Sequence, residues 1–347
     1  MLKRTHDDKS KTILVAGGAG FIGSHLCDAL LQRGHRVICL DNYLTGTEAN
    51  VRPLTNHPSF AFIKADICDP VMVEERVDEI YNLACAASPP HYQADPVHTM
   101  MTCVVGTRNL LAIAERDGAT FLQASTSEVY GEPEQHPQAE DYRGNVNCTG
   151  PRACYDEGKR AAEALCFDML REGRVDARVA RIFNTYGPRM RADDGRIVSN
   201  LIVQALSGKP LTVYGTGEQT RSFCFVSDLV AGLRALMEVD ANPGLPVNLG
   251  NPHECTILEL ADLVLDLVTT KSELQFQPLP VDDPTRRRPD ITRAKDLLGW
   301  TPKIPLADGV AATIDWFTAS LGEKAPPPRP AVAASLKRPV QVAGVAR

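Results

Sequence analysis

The chain has 347 residues, 44% of them hydrophobic and 23% charged, with a net charge of −6. That length suits one large or two joined α/β units, and the acidic balance gives no reason to expect nucleic-acid binding. Ten cysteines are scattered without a Cys-x-x-Cys pair, so neither a zinc pattern nor a short disulfide scaffold fits, no metal is expected, and reduced thiols in a cytoplasmic protein are.

Met1 to Lys11 is charged and lacks the apolar core of a signal peptide. No apolar run approaches the ~20 residues that span a bilayer, so no membrane partner is expected. Thr12 to Ala16 is a short apolar run ending in Gly17-Gly18-Ala19-Gly20-Phe21-Ile22-Gly23. An amphipathic stretch from Phe21 to Arg33 follows, then a second apolar run, Arg36 to Leu40, that ends in Asp41. Strand, glycine turn, helix, strand and acid form the complete context of a dinucleotide site. Gly17, Gly20 and Gly23 let backbone approach a pyrophosphate, and the helix N-terminus adds a favourable dipole. Asp41 can accept hydrogen bonds from an adenosine ribose and would repel a 2′-phosphate, which favours NAD over NADP.

Further apolar runs, Phe60–Ile63, Glu79–Ala84, Thr120–Ala124 and Ala177–Phe183, alternate with helical stretches at Thr99–Asp117 and about Arg152–Glu172. This alternation predicts a Rossmann-type, doubly wound parallel α/β sheet. Asp66 and Ile67 follow the third strand and are expected near the adenine. Leu83 ends the fourth, near the nicotinamide ribose.

Tyr155 and Lys159 are four residues apart, which places them on one helical face. An ammonium there favours the phenolate, so Tyr155 can take a proton from a sugar hydroxyl. Ala162, Cys166, Met169 and Leu170 continue that face, and Asn147, Thr149 and Pro151 mark the expected helix start. The fifth strand ends in Ser125-Thr126-Ser127-Glu128, and ligands of open parallel sheets lie beyond the carboxyl ends of the strands. Thr126 and Glu128 therefore belong near Tyr155. Past Arg181 the rhythm breaks. Helices are expected at Ile197–Ser207, Ser227–Glu238 and Thr256–Val268, in a smaller C-terminal substrate-binding region. The expected organisation is a cofactor domain at 11–183, an interleaved nucleotide-sugar region at 184–320 and a disordered tail at 321–347, rich in Pro, Ala and basic residues.

These words together resemble the extended short-chain dehydrogenase/reductases that act on nucleotide sugars, and more narrowly the UDP-glucuronic acid decarboxylases. The resemblance rests on Gly17–Gly23, Ser125–Gly131, Gly150–Arg160, Arg181–Arg189, Leu211–Gly215, and Asp282-Asp283-Pro284 running into Arg287 and Asp290. It implies oxidation of the glucuronate 4-hydroxyl by bound NAD, loss of carbon dioxide from the β-keto acid, and return of the hydride to give UDP-xylose. Thr126 would assist Tyr155, while Glu128 and Arg287 would serve decarboxylation and reprotonation. Asn42, Thr45, Gly46 and Arg196 complete the implied cofactor set. Asn184 and Arg221 would hold the UDP diphosphate, Thr212 and Tyr214 would lie by the uracil, and Ala87, Tyr92 and Arg152 would meet the sugar carboxylate. A homodimer built on the helices around Thr99–Asp117 and Arg152–Glu172 is also implied. Met101, Cys103 and Cys85-Ala86 depart from the family pattern, which expects lysine, asparagine and Ser-Pro there. A 4-epimerase, a decarboxylase that releases the 4-keto pentose, and a non-catalytic NAD-binding regulator are the competing readings. The absence of an acid beside Glu128 speaks against a 4,6-dehydratase.

Overall fold

A computed structural model describes residues 10–279 and 286–322. The Asp282-Asp283-Pro284 word, the tail from residue 323 and most of the charged N-terminal stretch lie outside the described residues.

The apolar runs form strands β1 (Thr12–Ala16), β2 (Arg36–Asp41), β3 (Phe60–Lys64), β4 (Glu79–Asn82), β5 (Thr120–Thr126) and β6 (Ala177–Ile182). They pair in parallel in the order β6-β5-β4-β1-β2-β3, and Val247–Leu249 adds a seventh strand beside β6. The expected doubly wound sheet is therefore present. Its outermost strand comes from the region past Arg181 and had no signal in the sequence, because Val247–Leu249 is three residues long and too short to show a periodicity.

Alternation along each strand sorts side chains to two faces. Ile13 and Val15 of β1 join Val37 and Cys39 of β2 in one core, with Leu26 and Leu30 from the helix Phe21–Gln32 and Leu229, Leu233 and Leu236 from the helix Val226–Glu238. Leu14, Ala16, Ile38 and Leu40 face the opposite core, with Leu110, Leu111 and Ala114 from the helix Thr107–Asp117 and Cys166 from the helix Ala153–Arg171. Each such leucine contributes about 2 kcal/mol by leaving water, so both layers hold the sheet firmly. A third core joins the helices Ile197–Leu206, Ile257–Val268 and Leu306–Leu321.

The helix carrying Tyr155 begins at Ala153, with Arg152 at its cap. Asn147 does not cap it; its Oδ1 instead accepts from the Thr149 amide, closing a separate local turn before the cap. The helical stretch before β5 starts at Pro96, earlier than expected, with the Asp95 carboxylate accepting from the His98 amide, and passes through a π-helical turn at Thr102–Gly106. No helix among the described residues is long and apolar enough to cross a membrane.

Candidate active site

Strand order reverses between β1 and β4, and the chain ends diverge there into a crevice. Gly17 follows β1 with φ +76°, a region that favours glycine, and a Cβ on it would lie 2.7 Å from the Leu83 carbonyl carbon beyond β4. At Gly23 a Cβ would come 2.1 Å from the Gly17 oxygen. These glycines let the loop close onto the first helix turn, which carries no acidic residue, and leave its N-terminus facing the crevice. One cavity of about 660 Å³ runs from this loop to Arg287, a volume usual for a small-molecule site.

Asp41 is buried at the end of β2. Its Oδ2 accepts from the Ala19 amide at 3.0 Å and its Oδ1 from the Tyr43 amide at 2.7 Å. Burial pushes its carboxyl up, and these backbone donors oppose that shift. Asn42 and Thr45 line the cavity beside it. Gly46 lies behind Asp41 instead of lining the cavity: a Cβ there would meet Asp41 Oδ1 at 2.8 Å. Asp66 and Ile67 line the cavity below β3. Asp66 Oδ2 is bound by Asn42 Nδ2 at 2.7 Å and by His98 Nε2 at 2.8 Å. Asp66, Cys68 and His98 bring their ligand atoms within 4.8 Å of one another, but those hydrogen bonds and the Cys68 amide already engage the carboxylate. Arg196 reaches the same cavity, paired with Asp194 through both oxygens and lying 5.7 Å over the Phe21 ring.

Tyr155 and Lys159 share the inward face of their helix, 5% and 3% exposed. Lys159 Nζ donates to the Ala124 carbonyl at 2.8 Å, which ties the ammonium to the end of β5. It sits 5.8 Å from the centre of the Tyr155 ring. Tyr92 stacks on that ring at 5.0 Å with planes 5° apart. Burial pushes the Tyr155 phenol well above its ordinary value, and a hydrogen bond with Thr126 opposes the shift.

Glu128 is the second residue of a short 3-10 turn, Ser127–Tyr130, after β5, where the Thr126 hydroxyl accepts from its amide. Its carboxylate is buried between two guanidinium groups. Arg287 binds both oxygens, at 2.7 and 2.9 Å, and Arg152 binds Oε2 at 2.5 Å. Arg287 lies 159 residues away in sequence, and the loop that carries it is fixed by Gln138. The Gln138 amide donates to the Arg288 carbonyl at 2.9 Å, and the Gln138 side-chain oxygen accepts from the Arg288 amide at 2.8 Å. Asn248 of the seventh strand holds both segments, donating to the carbonyls of Gln138 and Asp290. Arg286 is exposed while Arg287 is buried, so the basic run is not one solvated face.

Ala87, Tyr92, Arg152, Asn184, Tyr214 and Arg221 all line the cavity. Asn184 Oδ1 lies 3.5 Å from Arg287 Nη1. Tyr92 Oη is buried without a hydrogen-bond partner among the described residues, a polar atom that suits a ligand. Thr212 stands apart from the rest. It is not among the lining residues, and its amide and hydroxyl are both engaged by Gln204 at 3.0 Å. Alternation along Leu211–Tyr214 identified the right strand without revealing that Gln204 closes over Thr212.

Sequence reasoning assigned no role to Asp156, one turn beyond Arg152. It is 7% exposed and its Oδ1 has no hydrogen-bond partner among the described residues. Burial, then the charge of Glu128, push its carboxyl up to about 7, with Arg152 and Arg287 opposing. Only its place between Tyr155 and Lys159 marked it in the sequence. His98 and Gln138 carried no local signal, since both act on partners distant in the chain.

Residues 13–250 match the model of the NAD dependent epimerase/dehydratase family. The chain belongs to that family. It is 55% identical over 315 residues to UDP-glucuronic acid decarboxylase 1 of Danio rerio, covering 91% of this chain and 74% of that protein. It is 56% identical over 305 residues to UDP-glucuronic acid decarboxylase 4 of Arabidopsis thaliana, covering 88% and 68%. Among solved structures, UDP-glucose 4-epimerase from Thermotoga maritima superposes with a TM-score of 0.82 at 29% identity, covering 90% of this chain and 100% of that one. UDP-glucuronic acid 4-epimerase from Bacillus cereus, solved with UDP-glucuronic acid and NAD, superposes with a TM-score of 0.80 at 29% identity over the same shares. The glycine cradle, the buried Asp41 and the Tyr155–Lys159 pair of this family member fit NAD.

Proposed function

We propose that this protein is an NAD-dependent decarboxylase that converts UDP-glucuronate to UDP-xylose through a 4-keto intermediate, with NAD regenerated in each turnover. The observation that carries the reading is the Glu128 carboxylate held by Arg287 and Arg152 in the same cavity as Tyr155 and Thr126. A hydroxyl-oxidising pair alone serves many sugar enzymes; a fixed carboxylate with two guanidinium groups also suits an acidic sugar.

The Gly17–Gly23 loop, Asp41, Asn42, Thr45, Asp66, Ile67, Leu83 and Arg196 would hold NAD. When bound, it supplies the reversible acceptance of a hydride. Tyr155 accepts the proton of the 4-hydroxyl, and Thr126 hydrogen-bonds the same oxygen. The Lys159 ammonium offsets the charge that develops on the phenolate. The ketone so formed lies β to the carboxylate and stores the electron pair as carbon dioxide leaves. Arg152 and Tyr92 lie where the carboxylate is read, and Glu128 with Arg287 governs the proton that returns to C5. Tyr155 then gives back its proton to the 4-oxygen. Asn184 and Arg221 take the diphosphate and Tyr214 the uracil, while Thr212 contributes by backing the strand that carries Tyr214.

The assembly we propose is a homodimer through the helices Thr107–Asp117 and Ala153–Arg171, with Val97 and Met101 exposed nearby at 70% and 38%. A two-unit organisation divided near residue 184, a cytoplasmic location and a lack of nucleic-acid or membrane partners belong to the same reading. The test is to incubate the protein with UDP-glucuronate and identify the product by mass. UDP-xylose is expected; unchanged substrate overturns the reading, and a 4-keto pentose as main product amends it.

A further inference from the structure

Two thiols meet behind the Tyr155–Lys159 face. Cys85 follows β4, is partly exposed and lines the cavity. Cys103 is 2% exposed, in the π-helical turn. Their Sγ atoms are 3.6 Å apart. Cys103 also rests on the helix that carries the pair: a Cβ at Gly158 would lie 3.0 Å from Cys103 Cβ and 3.2 Å from its Sγ. Cys85 packs in the same small cluster as Tyr92 and Tyr155. The contact with Cys85 brings the Cys103 thiol down to about 7 against the effect of burial, and the Lys159 charge adds to it, while the same contact and burial push Cys85 up. The two sulfurs thus lie in contact with their acidities pushed in opposite directions, an arrangement suited to disulfide formation.

We propose that Cys85 and Cys103 close into a reversible disulfide that switches this active site off when a hydroperoxide is present. The Cys103 thiolate attacks a peroxide oxygen, breaking the O–O bond and giving a sulfenic acid and hydroxide. Cys85 sulfur then attacks the sulfenic sulfur and expels a second hydroxide. Two protons complete two waters, so both thiols lose one electron each and hydrogen peroxide takes two. A dithiol such as dithiothreitol reverses the bond by exchange.

The inhibition follows from position. Closing the contact from 3.6 Å to about 2.05 Å moves the sulfurs together by roughly 1.5 Å. That displacement falls on the chain beyond β4 that abuts Gly17 and on the helix turn between Tyr155 and Lys159. Misplacement of about 1 Å in such a site costs on the order of a hundredfold in rate. Bonding also removes the Cys103 thiolate from beside Lys159.

The NAD-loaded protein is treated with hydrogen peroxide, denatured, alkylated and digested, and turnover of UDP-glucuronate is measured in parallel. The expected result is a peptide pair joined through Cys85 and Cys103, a fall in turnover of at least about tenfold, and recovery of both thiols and turnover with dithiothreitol. Cys85→Ser and Cys103→Ala, each scored against its own reduced rate, should lose the sensitivity, and either suffices if the other does not fold. Cys148→Ser, which removes an exposed thiol, should keep it. The proposal is overturned if both thiols stay alkylatable while turnover falls, if the disulfide forms without loss of turnover, or if Cys148→Ser abolishes the effect. The peptide map does not depend on which reaction is catalysed, so its failure is distinct from failure of the decarboxylase reading.

Discussion

Two corners of one cavity handle charge in opposite ways. Around Tyr155 uncharged groups lie closest: Tyr92 stacks on the phenol, burial raises its pKa, and the Lys159 ammonium is tied to a backbone carbonyl. Around Glu128 the site is crowded with full charges, one carboxylate between two guanidinium groups, with Asp156 behind them. The first corner favours the protonated phenol. The second keeps its carboxylate fixed in direction by two guanidinium groups. The two corners still share one cavity, and the Glu128 charge adds to the rise at Tyr155.

The largest expected effect tests the first corner. Tyr155→Phe should lower turnover on the order of a thousandfold or more, with NAD binding by titration and the melting temperature both retained. Surviving turnover would remove Tyr155 as the base. Glu128→Gln should lower turnover about a hundredfold and, unlike Tyr155→Phe, destabilise the fold by about 3 kcal/mol, since Arg152 and Arg287 lose their buried counter-charge. Chemical denaturation of the two variants side by side measures this; equal stability would erase the contrast between the corners.

A smaller effect concerns pH. The Asp156 carboxyl is raised from its ordinary 3.8 to about 7 in the fold. The folded state therefore binds more protons than the unfolded chain between about pH 4 and pH 7, and this group's contribution to stability is lost as pH rises through that window. Asp156→Asn should flatten that fall, seen in melting temperatures from pH 4 to 8. An unchanged profile would mean that Asp156 does not share charge with the Glu128 corner. The smallest expected effect is at Tyr92, whose hydroxyl is buried and unpartnered among the described residues. Tyr92→Phe should leave stability unchanged or slightly improved while raising the KM for UDP-glucuronate several-fold, about the value of one hydrogen bond. An unchanged KM would take that hydroxyl out of substrate binding.

Much of this protein was legible as text because its signals are local. Gly17 to Gly23, the alternation of apolar runs and the Tyr155–Lys159 spacing each depend on residues within one turn or one strand, where periodicity acts directly. The strand ends named from sequence agree with the fold to within a few residues, and Thr126 and Glu128 reach the cavity with Tyr155 because a parallel sheet aligns its carboxyl ends. The three-residue strand Val247–Leu249 was too short to register, yet it completes the sheet and, through Asn248, holds the loops that carry Arg287. The clamp on Glu128, the grip of His98 on Asp66, the turning of Thr212 toward Gln204 and the contact of Cys85 with Cys103 were decided only by tertiary structure. Each joins groups on separate elements, and which of them meet depends on how helices and loops pack on the sheet. The sequence by itself determined the Tyr155–Lys159 spacing and the glycine loop after the first strand. Packing decided which buried charges and thiols surround them, because a long-range contact has no period in the chain.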